Sequence, residues 1–187
     1  MAEQPLTSAE YLEAVTIGER TPHRRPIELV DYDPAWPQRF AKEEHKIRRA
    51  LGERALAVEH VGSTSVPGLA AKPILDVVLA VPDSTDEGAY VPALEEAGYV
   101  HRIREPEWYE HRLLKGSDPE VNLHAFSAGC SEIDRMIAFR DHLRRNDVDR
   151  ELYEREKREL AKQTWEYVQH YADAKGELVE SILGRVR

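Results

Sequence analysis

The chain has 187 residues, 41% of them hydrophobic and 33% charged, which suits one domain with a packed core and excludes disordered, collagen-like and disulfide-built classes. Lys and Arg number 26 against 35 Asp and Glu, a net charge of −9 that disfavours general binding to nucleic-acid backbones. A single cysteine, Cys130, rules out an intrachain disulfide and a cysteine metal cluster; it sits in a turn-like stretch and reads as an incidental small residue.

Residues 1–26 are mostly polar and read as an arm or linker. Within them Thr7-Ser8-Ala9-Glu10 can cap a short helix through Tyr11, Leu12 and Val15, and the prolines at 22 and 26 favour an extended connection. There is no basic start, apolar signal stretch or bilayer-length run, so a cytoplasmic protein is expected.

The domain spans 27–187. Residues 27–30 predict a short strand. Asp33-Pro34 predicts a helix start, with Trp36, Phe40, Ile47 and Leu51 on one face and Gly52 closing it. Residues 56–61 and 74–81 predict strands around a small-residue loop. Ser84 and Glu87 have the spacing of a capping box before Tyr90, Leu94 and Ala97, with Pro92 interrupting the pattern. Residues 99–103, 112–115 and 121–126 predict further strands, with Asp118-Pro119 in a turn. From about 131 the pattern is helical: a stripe of Ile133, Met136, Ile137, Arg140 and Leu143, one long or two joined helices over 147–171, and a last helix carrying Leu178, Val179, Ile182, Leu183 and Val186. Strands in such close succession require antiparallel pairs. The expected class is α/β (α+β), a mixed β-sheet with flanking helices and a C-terminal helical segment.

The stretch His60-Val61-Gly62-Ser63-Thr64-Ser65 to Lys72-Pro73-Ile74-Leu75-Asp76 carries the chemistry. Glycine lets a ligand approach the backbone, and the amides and hydroxyls that follow can cradle phosphate oxygens. Lys72 adds positive charge. Asp76 opens an apolar strand, where a carboxylate is costly unless paired, at the strand's mouth, or on a cation. Neither a Walker loop nor a dinucleotide-binding glycine fingerprint is present. His124 alternates with apolar Val121, Leu123 and Phe126 and reads equally as a core histidine; Asn122 shares its strand face. His111-Arg112 can enter a pocket or face water. Tyr153 with Lys157, and Tyr171 with Lys175, each lie four apart on one helix face, a spacing that ordinary packing also explains.

The run from Glu59 through Asp76 closely resembles the signature of the GrpB family, which has the nucleotidyltransferase fold. The resemblance extends from about Ile27 to the C-terminal helix, through Trp108 to Arg112, Val121 to His124, Phe139-Arg140-Asp141, Tyr153 with Lys157 and Tyr171 with Lys175. In some chains such a domain lies behind dephospho-coenzyme A kinase, and residues 1–26 resemble the linker before it. The resemblance implies a protein that binds a nucleoside triphosphate and transfers a nucleotidyl group to, or adenylates for ligation, a small acceptor. Gly62, Ser63, Thr64, Ser65 and Lys72 would hold phosphates, with His111, Arg112, Asn122, Tyr153 and Lys157 binding substrate. Asp76 would ligate Mg²⁺, and His124 would contact substrate or move a proton. The superfamily's second carboxylate falls at Val78, a departure that favours a non-catalytic nucleotide-binding module or a partner of a coenzyme A enzyme. RNA processing is a weaker alternative, needing a basic strip of Arg24, Arg25, Arg102 and Arg104 to outweigh the net charge.

Overall fold

A computed structural model describes residues 7–19, 27–165 and 167–185. Its centre is a five-stranded sheet of β1 (Ala57–Val61), β2 (Leu75–Val81), β3 (Val100–Glu105), β4 (His111–Ser117) and β5 (Glu120–Ser127), in the order β1-β2-β5-β4-β3. Only β2 and β5 run parallel; the other three neighbouring pairs are antiparallel. β2 is central and buried on both faces, which explains its nearly continuous apolar run, broken only at Asp76 near its start.

One face of the sheet is the main core. Leu75, Val77, Leu79, Leu123 and Ala125 pack there against Trp36, Ile47 and Leu51 of α2 (Trp36–Leu51) and Leu94 of α3 (Val91–Glu96). On the other face Val61, Val78, Ala80 and Phe126 pack against Ile133 of α4 (Ser131–Arg145). This second apolar patch is small, and Asp76, Asn122 and His124 share that face beside it. Beyond α4, Tyr153 of α5 (Asp147–Ala161) and Ile182 of α7 (Gly176–Leu183) pack with Val66 and Leu69 of the β1–β2 loop, and Tyr171 of α6 (Val168–Asp173) packs with Leu160 and Ile27.

The predicted helical tail breaks between α5 and α6, so 147–171 holds two helices and not one; Trp165 lies in the break and donates its indole N–H to the Leu160 carbonyl at 2.8 Å. Three other local expectations are corrected. Residues 27–30 form no strand: Val30 makes one isolated bridge to Ala71. Pro34 does not open α2, because Asp33 accepts the Ala35 N–H at 2.8 Å in a turn; Pro37 takes the first-turn position. Ser84 caps no helix, since its hydroxyl donates to the Glu110 carbonyl at 2.9 Å and its amide to Ser127, while Glu87 is taken by Arg104 and Arg112.

The predicted short N-terminal helix forms as α1 (Ala9–Val15), with the Ser8 hydroxyl accepting the Tyr11 N–H at 3.1 Å. It lies against the sheet: Leu12 and Val15 are buried and Thr16 bridges to Ile103. The extended connection expected at 21–26 lies outside the described residues. Among the described residues no helix is long and apolar enough to cross a membrane.

Candidate functional site

The site starts at the turn leaving β1. Gly62 has φ +67°, and a Cβ there would come within 2.8 Å of the Asp76 Cβ and closer still to its carboxylate. β1 and β2 are antiparallel with Val61 opposite Asp76, so the turn folds directly over the carboxylate. Glycine is required twice, for the backbone angle and for the close approach. The Gly62 turn and the partly exposed acidic side chain therefore meet at one recess.

Asp76 accepts a hydrogen bond from Asn122 Nδ2 at 2.9 Å, and His124 Nε2 lies 3.8 Å from the same oxygen. Parallel pairing of β2 with β5 puts Asp76 beside Asn122 and Val78 beside His124. Burial pushes the Asp76 carboxyl up, but His124, the Asn122 amide and the Lys72 charge outweigh it and hold its pKa below the usual carboxylate range. Asp76 is ionised at neutral pH.

Lysines supply the opposing charge. Lys157 of α5 is 2% exposed; its ammonium donates to Ser63 Oγ at 3.0 Å and to the Ala70 carbonyl. Tyr153, one turn earlier on the same helix, sets its ring against that ammonium, 5.0 Å from Nζ to the ring centroid. Lys72 and Lys175 lie over the ring of Tyr171, 5.4 and 4.5 Å from its centroid. The field of Asp76 reaches all three ammonium groups. Burial, together with the charge of Lys175, lowers Lys157 to about 7 and Lys72 to about 8; burial lowers Lys175 to about 8. Among the described residues none of the three lysines is ion-paired at salt-bridge distance with a carboxylate.

A chain of polar side chains runs from His124 toward the far edge of the sheet. His124 Nδ1 is 3.1 Å from His111 Nε2, His111 Nδ1 is 2.6 Å from Glu105, and Tyr11 of α1 donates to the other Glu105 oxygen at 2.7 Å. Burial drives His111 down to about 4 despite Glu105, so its ring is neutral at pH 7. Glu105 accepts only, so His111 carries its proton on Nδ1 and accepts on Nε2. His124 then donates from Nδ1 to His111, and its Nε2 faces Asp76 and the recess.

The recess thus gathers Gly62, Ser63, Lys72, Asp76, Asn122, His124, Tyr153 and Lys157 of the residues singled out from sequence, with His111 one step behind. Thr64 and Ser65 turn inward: Thr64 Oγ1 bonds His60 and the Ile74 carbonyl, and Ser65 Oγ donates to the Gly62 carbonyl at 2.5 Å. Both brace the turn and offer it no ligand-facing hydroxyl. Arg112 lies on the opposite sheet face, opposite Ala125, and is held by Glu87. Its neighbour His111 enters the site, and adjacent strand residues point to opposite faces. Of the basic strip, Arg102 donates to the Glu19 carbonyl and Arg104 is bound to Glu87, while Arg24 and Arg25 lie outside the described residues. Sequence reasoning missed Glu105 and Tyr11, which carry no local signal, and left Tyr171 and Lys175 as ordinary packing.

The donors do not fit a resident Mg²⁺ ion. Magnesium takes hard oxygen ligands and, in this chemistry, two or more carboxylates. Val78 occupies the expected second carboxylate position and is wholly buried against Val61, Phe126 and Ile133. Asp76 already accepts from Asn122 and faces three ammonium groups that repel a cation. Among the described residues no three His, Cys, Asp or Glu side chains cluster to hold a metal. A separate cleft of about 310 Å³ lies between Phe40, His60, Arg140 and Arg144, but its two guanidiniums are already bound by Glu59, Asp141 and the carbonyls of His60 and Ser65.

Comparison with known proteins completes the description. A family model described as GrpB protein matches residues 26–185. The chain is 58% identical over 176 residues to a UPF0157 protein of Halalkalibacterium halodurans, covering 94% of this chain and 90% of that one. It is similar to the crystal structure of conserved protein GrpB from Enterococcus faecalis, with a TM-score of 0.75, 31% identity, and coverage of 85% of this chain and 96% of the other. A more distant likeness reaches a dephospho-CoA kinase of Mycolicibacterium paratuberculosis, 37% identical over 89 residues that span 46% of this chain and 22% of the kinase.

Proposed function

The chain belongs to the GrpB family, and from that premise we propose that it binds a nucleoside triphosphate at the Asp76 recess and transfers the nucleotidyl group to a small acceptor. The fold we assign to this chemistry is of the nucleotidyltransferase type. One observation carries the reading: the Gly62-Ser63 turn, Asp76 and the Nε2 edge of His124 meet at the same recess, under Lys157.

Each group has a role. Ser63 and the turn amides hold phosphate oxygens, with Lys72 and Lys157 balancing their charge. Asp76 and Asn122 position the acceptor hydroxyl. His124 Nε2 takes its proton as the acceptor oxygen bonds to the α-phosphorus; the bond from that phosphorus to the bridging oxygen breaks, and pyrophosphate leaves. His111 and Glu105 hold His124 in the tautomer this requires, and Glu105 offsets the charge that appears on the imidazoles. An acceptor carboxylate in place of the hydroxyl would yield an adenylate for ligation by the same first step.

A second reading rests on Val78. Without a second carboxylate the recess can bind a nucleotide and stop there, as a sensor or a partner of a coenzyme A enzyme. The two readings separate on one experiment. ATP, GTP and CTP are titrated, with and without Mg²⁺, and pyrophosphate release is followed against a panel of small hydroxyl and carboxylate acceptors. Release that falls by roughly a hundredfold in Asp76→Ala supports transfer. Binding with no release, in wild type and Asp76→Ala alike, supports the module. No binding of any nucleotide ends both.

A further inference from the structure

We propose that three lysines do here what bound magnesium does in related chemistry, so that the recess takes a polyphosphate chain free of metal. This deepens the nucleotide reading and rests on the same site. Lys72, Lys157 and Lys175 face one carboxylate, Asp76, leaving a surplus of positive charge that no side chain at ion-pairing distance neutralises among the described residues.

An independent observation points to a ligand at the same place. Tyr171 is 1% exposed, and its hydroxyl is a buried polar atom without a hydrogen-bond partner among the described residues. A buried hydroxyl left unpaired costs about 1–3 kcal/mol, so native folds rarely leave one. Its neighbours identify the missing acceptor. The Lys72 and Lys175 ammonium groups both lie over its ring, and the field of the Tyr153 hydroxyl reaches it. The acceptor that suits this hydroxyl with two ammonium groups beside its ring is an oxyanion.

Two anion positions then lie in series. Ser63, Tyr153 and Lys157 form the first, beside the Gly62 turn; Lys72, Lys175 and Tyr171 form the second. A chain of linked phosphates fits both positions where a single phosphate fills one. Metal-bound triphosphate fits less well, because Mg²⁺ would cancel the ligand charge that the lysines are set to receive.

Inorganic tripolyphosphate and ATP are the probes, each titrated calorimetrically into the full chain in EDTA and in excess Mg²⁺. Both are expected to bind in EDTA, at least tenfold more tightly than in Mg²⁺, and tripolyphosphate at least tenfold more tightly than orthophosphate. Lys175→Met and Tyr171→Phe each weaken tripolyphosphate binding by tenfold or more, with circular dichroism confirming that each variant folds. Should Tyr171→Phe alter the fold, Lys72→Met carries the same expectation. Binding that requires Mg²⁺ overturns this inference and leaves the nucleotide reading standing. Tripolyphosphate binding in EDTA without ATP binding does the reverse. Failure of both ligands to bind ends both.

Discussion

At the scale of single residues, the recess trades stability for charge. Lys157 is buried with its ammonium held only by the neutral oxygens of Ser63 and Ala70. Its pKa is lowered by burial to about 7, so between about pH 7 and 10 the unfolded chain binds the proton that the folded chain has released. Stability from this group therefore rises with pH across that window, and the cost of its charge is present in full below pH 7. Relative to wild type, Lys157→Met is expected to be most favoured at pH 6 and to lose that advantage by pH 9–10, read from urea unfolding midpoints. A difference that is flat with pH would contradict the lowered ammonium. Val78 makes the converse case. Val78→Asp puts a carboxylate where the proposed nucleotidyl-transfer reading expects a second one, yet places it among Val61, Phe126 and Ile133. We expect a loss of roughly 3 kcal/mol or more in unfolding free energy at pH 7, not recovered by Mg²⁺. Recovery with Mg²⁺ would show that the recess can accept a metal after all.

At the scale of elements, the site is assembled by docking. β1 and β2 bring Gly62 onto Asp76; β5 adds Asn122 and His124; β4 and β3 add His111 and Glu105; α1 adds Tyr11. Glu105 is a positioning residue, since it acts on the recess only through His111 and His124. In Glu105→Gln the charge that favours the Nδ1 proton of His111 is gone. Nitrogen-15 NMR of the imidazoles should show the Nδ1 tautomer of His124 weakened, with pyrophosphate release reduced by about tenfold. An unchanged tautomer would remove the relay from the mechanism, whatever the rate. Helices α5 and α6 and the cap of α7 bring Tyr153, Lys157, Tyr171 and Lys175 toward the Gly62 turn and Asp76. Tripolyphosphate should therefore slow amide hydrogen exchange in α5 and in the first turn of α7, and leave α2 and α3 on the opposite face unchanged. Equal protection of α2 would place the ligand elsewhere.

At the scale of the whole molecule, a net charge of −9 surrounds a recess with three ammonium groups and one carboxylate. On the proposed reading the acidic exterior repels long polyanions while the recess admits a short one. Single-stranded RNA is expected to give no mobility shift at 0.15 M salt, while tripolyphosphate binding weakens as salt rises. A salt-dependent RNA shift would reopen the nucleic-acid alternative. Much of the arrangement is legible along the chain where partners are neighbours: Gly62, Ser63 and Asp76 belong to one strand-turn-strand run, and Asn122 and His124 are two apart on one strand. That His111 and Arg112 cannot share a face was also readable, from strand alternation alone. Glu105 and Tyr11 were not, because 94 residues separate them and no spacing links them. Local pattern likewise misplaced Pro34 and Ser84, where a turn and a side-chain contact took the groups that a helix cap would have used. The sequence by itself determined the need for antiparallel pairs, the helical tail and a glycine turn followed by an acid at the head of a strand, since each follows from short-range periodicity and backbone sterics. The tertiary structure alone decided that three lysines, from one helix and two connecting segments, meet at that acid, and that position 78 is sealed in apolar packing, because electrostatic neighbourhood and burial depend on which surfaces the fold presses together.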